Sequence, residues 1–252
     1  MQKGKFLIVF IVALLYSVTL YSQDRIVIQS SYYTVDSAYD VAPNRQAENL
    51  LNKYKPIVDE RIAKKIGTSA QKMTASLSMP ENLLANLTCD IIFEKGNEIL
   101  NEPADLSLLN VGGFRTSLPE GDVLLGDIYN IFPFDNTLQI AFIKGEYLRE
   151  LFTMFAAGQM QAMSNVVLTI QNRQLKEALI GGEPLDDEKT YKLVTIDYLI
   201  LGGDKMEALT KSERYIFTSL MLRDVVAEYF IEKERHGLAV DAAIDGRVII
   251  IE

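Results

Sequence analysis

The sequence predicts an α+β domain with a mixed sheet and packed helices, and two observations carry that expectation. Short apolar runs rich in branched and aromatic residues are interspersed with longer stretches in which apolar residues recur every three or four positions. Single helical stretches fall among strands that follow one another directly, an order that mixes adjacent strands with single helices. With 48% hydrophobic residues and seven prolines in 252, the chain can bury a substantial core, and one globular domain is the simplest arrangement.

The first element is a leader. Lys3 and Lys5 precede an unbroken apolar core from Phe6 to Tyr16, and small or polar residues follow up to Ser22. This layout predicts a secretory signal peptide over residues 1–22, cleaved between Ser22 and Gln23, and an exported domain over residues 23–252. The apolar core is shorter than the roughly 20 residues of a spanning helix, so no stable membrane span is expected after cleavage. No cysteine near the cleavage point offers a lipid anchor. The expected location is periplasmic or extracellular.

From Gln46 to Gly67, Leu50, Leu51, Tyr54, Ile57, Val58, Ile62 and Ile66 recur at helical spacing, which predicts an amphipathic helix bent at Pro56 and stopped by Gly67. A second helix is expected from about Pro80 to Gly96, with Leu83, Leu84, Leu87 and Ile91 on one face. "ADLSLLN" then reads as a buried strand, "GDIYNIFPFDN" as a short helical turn ending at Pro133, and "TLQIAFIKG" as a strand. "GEYLRELFTMFAAG" is a helix with Leu148, Leu151, Phe152 and Phe155 inward. "NVVLTIQ", "TYKLVTIDYLI" and "RVIIIE" are strands, and Ser219 to Lys233 is a helix.

Composition narrows the chemistry. A net charge of -9 disfavours a polynucleotide ligand, which wants a basic face, but leaves room for a small anion held by one or two arginines. The one cysteine, Cys89, cannot form an internal disulfide and reads as a small buried hydrophobe. Met154, Met160 and Met163 read as core fillers.

Two loops stand out. "NVGGFRTSLPEGD" places Asn110, Gly112, Gly113 and Arg115 where a strand ends. Glycine admits close approach to backbone amides, and arginine offers a planar fork that matches phosphate or carboxylate. "YLILGGDKM" closes a second strand with Gly202, Gly203 and Asp204. Two strands that each end in a glycine pair suggest two loops facing one ligand from the same sheet edge. Each has an ordinary alternative: Arg115 could pair with Asp122 or Asp127, Asp204 could cap a turn, Phe134 could be core, and Tyr198 could be a strand residue.

In order and spacing, "ENLLANLTCD", "NVGGFRTSLPEGDVLLGDIYNIFPFDNTLQIAFIKGEYLRELF" and "YKLVTIDYLILGGD" resemble the C-terminal substrate-binding domain of the secreted 5'-nucleotidases, a family that includes UDP-sugar hydrolases and 2',3'-cyclic-nucleotide phosphodiesterases. The resemblance runs from about Pro43 to near the end. It implies polar and phosphate contacts from Asn110 and Arg115, stacking of Phe134 and Tyr198 on a base, and hydrogen bonds from ribose hydroxyls to Asp204. Stacking of this kind is worth about 0.5–1.5 kcal/mol beyond area burial, and a carboxylate suits vicinal hydroxyls. This sequence departs from the family at three places: Ser78 where many relatives carry an arginine, Asp197 where an asparagine is expected, and Lys205-Met206 where Gly-aromatic is usual.

The resemblance also implies that hydrolysis belongs to a separate metallophosphoesterase domain holding two metal ions, so no cofactor is expected in this chain. Two-metal hydrolysis needs several converging ligands. The sequence has a single histidine, His236, placed to cap a helix C-terminus, and no Asp-x-His, Asn-His or Gly-His motif. Nucleophile-elbow, P-loop and dinucleotide glycine motifs are likewise missing from the sequence. The sequence-based expectation is the nucleotide- or nucleoside-binding half of a split exported 5'-nucleotidase that acts with a separate phosphoesterase subunit. The alternative is a non-catalytic envelope protein that binds nucleosides.

Overall fold

The computed structural model describes residues 28–37 and 44–251, so the expected leader lies outside the described residues. The chain divides after Leu50, and the larger unit begins at Leu51. The first elements are α1 (Arg45–Ile62, which begins before the division), β1 (Lys65–Ser69), α2 (Leu83–Leu100), β2 (Leu106–Leu109), β3 (Gly121–Leu124) and α3 (Leu125–Ile131). The middle holds β4 (Thr137–Lys144), α4 (Gly145–Ala156), β5 (Ala162–Ser164), β6 (Val166–Gln171), β7 (Gln174–Ile180) and β8 (Glu183–Pro184). The chain closes with β9 (Thr190–Ile196), α5 (Asp197–Ile200), β10 (Arg214–Met221), α6 (Leu222–Arg235) and β11 (Val248–Ile251).

Among the described residues the strands form three sheets. The central one has the order β10-β4-β9-β2-β5, with β2 and β9 parallel and the other pairs antiparallel. A second sheet runs β11-β6-β7-β8, with β11 parallel to β6, and β1 pairs with β3 in a two-stranded ribbon. The fold is thus α+β with mixed sheets.

Packing explains the apolar runs. α2 lies on β2, β5 and β9, while α4 touches β4 and β7 and so joins the two larger sheets. Phe152 and Phe155 of α4 and Phe230 of α6 are fully buried, as helical spacing predicts for an inward face. Cys89, Met160 and Met163 are buried in the same core, with Met154 packed against it. Burial pushes the Cys89 thiol up to about 12.

Several boundaries differ from the sequence expectation. The first helix ends at Ile62 rather than Gly67, and Ile66 is instead buried in β1. None of the residues of α1 is buried, so the apolar stripe of Leu51, Tyr54, Ile57 and Val58 remains at least half exposed rather than facing a core. Gly96 does not stop α2. A Cβ there would lie 2.2 Å from Val194 Cγ2, so glycine lets the helix press onto β9, and the helix ends four residues later with Asn101 in the left-handed conformation. The last predicted strand before the second glycine pair stops at Ile196, and Tyr198 belongs to the single turn of α5. Residues 219–221 finish β10, a strand that polar side chains obscure in the sequence, and α6 starts at Leu222.

The C-terminal strand is tied down by Arg247. Its buried guanidinium donates to Asp245 Oδ1 at 2.8 Å, Asp90 Oδ2 at 2.7 Å and the Met163 carbonyl at 2.7 Å. A second bond reaches Asp245 Oδ2 at 3.0 Å.

Candidate functional site

Strand direction decides where the two glycine loops go. β2 and β9 are parallel neighbours, paired at Leu106↔Leu193, so the loops that follow them emerge at one edge of the sheet. β4 is antiparallel to β9, paired at Leu138↔Ile196, so the turn that precedes β4 emerges there too. The edge beyond the carboxyl ends of parallel strands is where open α/β sheets commonly hold ligands. Asn110, Phe134 and Tyr198 are therefore brought to one rim by topology.

Side-chain contacts tie the two loops together. Asn110 is buried and donates its Nδ2 to Asp204 Oδ2 at 2.6 Å, a bond between residues 94 positions apart. The Tyr198 hydroxyl donates to Asp204 Oδ1 at 3.0 Å and accepts from the Asp204 backbone N–H at 3.2 Å. Both carboxylate oxygens of Asp204 thus already have a partner, one on each loop. Phe134 and Tyr198 keep 48% and 43% of their surfaces exposed, so neither is a core residue. The cleft that Asn110, Gly113, Phe114, Phe132 and Phe134 share below the rim holds only about 10 Å³, room for one water, so a flat ligand would lie on the rim and not in a cavity.

The glycines serve different ends. Gly202 has φ +87, the left-handed region, and carries the chain out of α5. A Cβ on Gly203 would sit 2.5 Å from Cε1 and Cζ of the Tyr198 ring, so only glycine lets that ring lie against the loop. Gly112 and Gly113 border Asn110 and Asp204, and Gly112 is exposed at the rim. Asp204 and Lys205 both take left-handed φ, 51° and 64°, without being glycine, which concentrates backbone strain in this loop.

Arg115 is exposed, and its backbone N–H is fixed to Ile131 O at 3.0 Å. Its guanidinium donates to the Gly112 carbonyl at 3.3 Å and makes no carboxylate pair among the described residues. The two acids that could have paired with it are engaged elsewhere: Asp122 with Lys65 at 2.9 Å, and Asp127 with the Leu124 N–H at 2.8 Å at the start of α3. A cation left unpaired beside polar loop atoms is suited to an anion from outside.

The departures from the family pattern have physical readings. Asp197 accepts from the Thr137 hydroxyl at 2.9 Å and from the Tyr198 N–H at 2.8 Å, and because both partners are donors a carboxylate serves fully there. Met206 is completely buried, an aliphatic filler where an aromatic is usual. Ser78 sits exposed in a turn, its hydroxyl 2.8 Å from that of Ser76, and brings no cation.

Sequence reasoning missed the residues that hold the loops. Buried Gln161 accepts from the Val111 N–H at 2.8 Å and supports the first glycine loop from behind, and Thr137 supports the second through Asp197. Gln161 lies between two methionines in an irregular stretch, and nothing in its spacing marks it. His236 stands at the end of α6 with Nδ1 2.9 Å from the Glu232 carbonyl, as expected of a C-terminal cap.

A family model described as "5'-nucleotidase, C-terminal domain" matches residues 65–211. Protein UshA of Yersinia enterocolitica is 32% identical over 135 residues, which are 52% of this chain and 24% of that protein. The trifunctional nucleotide phosphoesterase protein YfkN of Bacillus subtilis is 23% identical over 232 residues, 81% of this chain and 15% of that protein. The chain therefore spans about a quarter or less of the length of these curated relatives. A 5'-nucleotidase precursor from Thermus thermophilus superposes with a TM-score of 0.69 over 85% of this chain and 45% of its own, at 22% identity. The NAD nucleotidase of Haemophilus influenzae gives 0.62 over 82% and 41%, at 18% identity. The two solved structures speak to the fold alone, while the family model covers more than half of the sequence. By that match the chain belongs to the family of 5'-nucleotidase C-terminal domains.

Proposed function

We propose that this chain is the nucleotide-recognising half of an exported 5'-nucleotidase, working with a separate metallophosphoesterase that supplies the two metal ions and the hydrolytic water. The observation that carries the reading is the bond from Asn110 to Asp204, which joins the two glycine loops beside Tyr198. On this reading a base stacks on the exposed rings of Phe134 and Tyr198. Ribose hydroxyls donate to Asp204, replacing or sharing its present bonds, and Arg115 with Asn110 and the Gly112 amide receives the charged end, the Gly113 N–H being held by the Asn110 carbonyl at 3.1 Å. The loop of Gly202 and Gly203 carries Asp204 into reach.

The phosphoester is then cut by the partner. This chain's contribution to catalysis is orientation, which raises the partner's effective concentration of correctly placed substrate. Ser78, without a cation, favours a second reading in which the chain binds nucleosides at the envelope without any hydrolysis, since the nucleoside end of the site is better equipped than the phosphate end.

Calorimetry of the purified chain with adenosine and AMP tests the site, and phosphate release from AMP or UDP-glucose with manganese or zinc tests the division of labour. Binding without phosphate release is the expected result. Turnover by the chain alone, or no binding of either ligand, would reject the proposal, and equal affinity for adenosine and AMP would favour the second reading. N-terminal sequencing of protein recovered outside the cytoplasm should begin at Gln23.

A further inference from the structure

We propose that Arg223 is the positioning residue that holds the Phe134 turn in place at the rim, an inference that rests on the nucleotide reading above. Arg223 is the second residue of α6, where a cation faces the positive end of the helix dipole, so its location works against helix stability and calls for another cause. Its side chain is only 14% exposed. The guanidinium donates Nη2 to Asp135 Oδ1 at 2.5 Å and Nη1 to the Phe134 carbonyl at 3.4 Å. Its carbon lies 4.9 Å from the centre of the Tyr129 ring, and Nη2 is 3.4 Å from Met221 Sδ.

These contacts form a brace. Tyr129 belongs to α3 and Arg223 to α6, while the bonded atoms belong to the segment between α3 and β4 that carries Phe134. The Leu222 N–H adds a bond to the Asn136 carbonyl at 2.9 Å from the same helix start. The planar fork thus fixes the turn at the Phe134 carbonyl and at Asp135, and the Phe134 ring stays exposed because the carbonyl and not the ring is the point of attachment. Arg223 Nε is the one buried side-chain nitrogen or oxygen without a partner among the described residues. Leaving a buried donor unpaired costs stability, and the geometry accepts that cost where it orders an exposed aromatic ring. A lysine could reach Asp135 but could not present a plane to Tyr129 and two parallel donors to the turn.

The sequence contains no tryptophan, so Phe134→Trp puts a single fluorescent reporter on the turn. In that background Arg223→Met keeps the apolar stem and removes the fork. The expected result is stronger acrylamide quenching and lower anisotropy of the reporter, with an adenosine Kd raised about tenfold, the equivalent of one weakened base–ring stack. Arg223→Lys restores part of the order and part of the affinity. Asp135→Asn, at a side chain 76% exposed, removes the anchor from the other side without threatening the fold and also loosens the reporter. Unchanged quenching and anisotropy in Arg223→Met and Asp135→Asn overturn the proposal. A reporter that loosens in a protein that binds no adenosine supports Arg223 as the brace of the turn and rejects the nucleotide reading instead.

Discussion

Replacing Arg247 by methionine removes a buried guanidinium and leaves a stem of similar bulk, so the loss reports the polar network and not a cavity. The side chain makes four bonds of 3.0 Å or less, two to Asp245 and one each to Asp90 and the Met163 carbonyl. Asp90 and Asp245 are 44% and 51% exposed, so after the change both carboxylates regain water and the interaction must be discounted for screening. The Met163 carbonyl belongs to a buried residue of β5 and is less easily rehydrated. What is lost is the set of charge-assisted bonds and the donor to a buried carbonyl, together about 3 kcal/mol. For a domain of this size that corresponds to a Tm lower by about 6–12 °C, read by calorimetry or circular dichroism at neutral pH. The Arg247 guanidinium holds the Asp245 carboxyl below the usual carboxylate range. A carboxyl lowered in this way adds stability that is complete above its unfolded pKa and is lost as pH falls through the folded value, so the gap between wild type and Arg247→Met should narrow in strong acid. A Tm within about 2 °C of wild type at neutral pH would refute the claim that this network anchors the C-terminal strand.

Two further outcomes rest on packing. Gly203→Ala drives a Cβ to 2.5 Å from the Tyr198 ring and 2.6 Å from the Tyr198 carbonyl oxygen, and the carbonyl cannot swing aside. The loop must shift, lowering stability by about 1–3 kcal/mol and weakening adenosine binding; unaltered Tm and calorimetric affinity would count against this close approach. Cys89, fully buried with its thiol pushed up to about 12, should resist thiol-specific labelling in the native protein and react only after denaturant unfolding. Rapid labelling without denaturant would contradict that burial.

Much of the scaffold was legible in the sequence, for reasons that differ by element. α4 announces itself because its apolar residues all face one core, and β2, β6 and the start of β9 because their branched and apolar runs are short and bounded by turns. β10 was hidden, since an edge strand with exposed Arg214, Phe217 and Ser219 carries no clean alternation. β7, which lies between β6 and β8, was hidden because its middle is polar. The stripe of α1 gave the right helix and the wrong environment, because periodicity reports an apolar face and not what covers it. At the rim, the family pattern located Asn110, Arg115 and Asp204, while the residues that support them could not be read: Gln161 and Arg223 act on atoms distant in sequence, 50 and 89 positions away.

The rim also has a place in time. Asn110 and Asp204 meet only after the intervening chain has crossed the sheet and returned, so their bond requires closure of a large loop before it can form. During refolding, helical signal should return ahead of the meeting of these two turns, and a nascent chain leaving the ribosome would carry Asn110 for 94 residues before its counterpart exists. Competence to recognise a ligand is then a late acquisition of the folding reaction, and a truncated product could look well folded by spectroscopy while lacking it altogether.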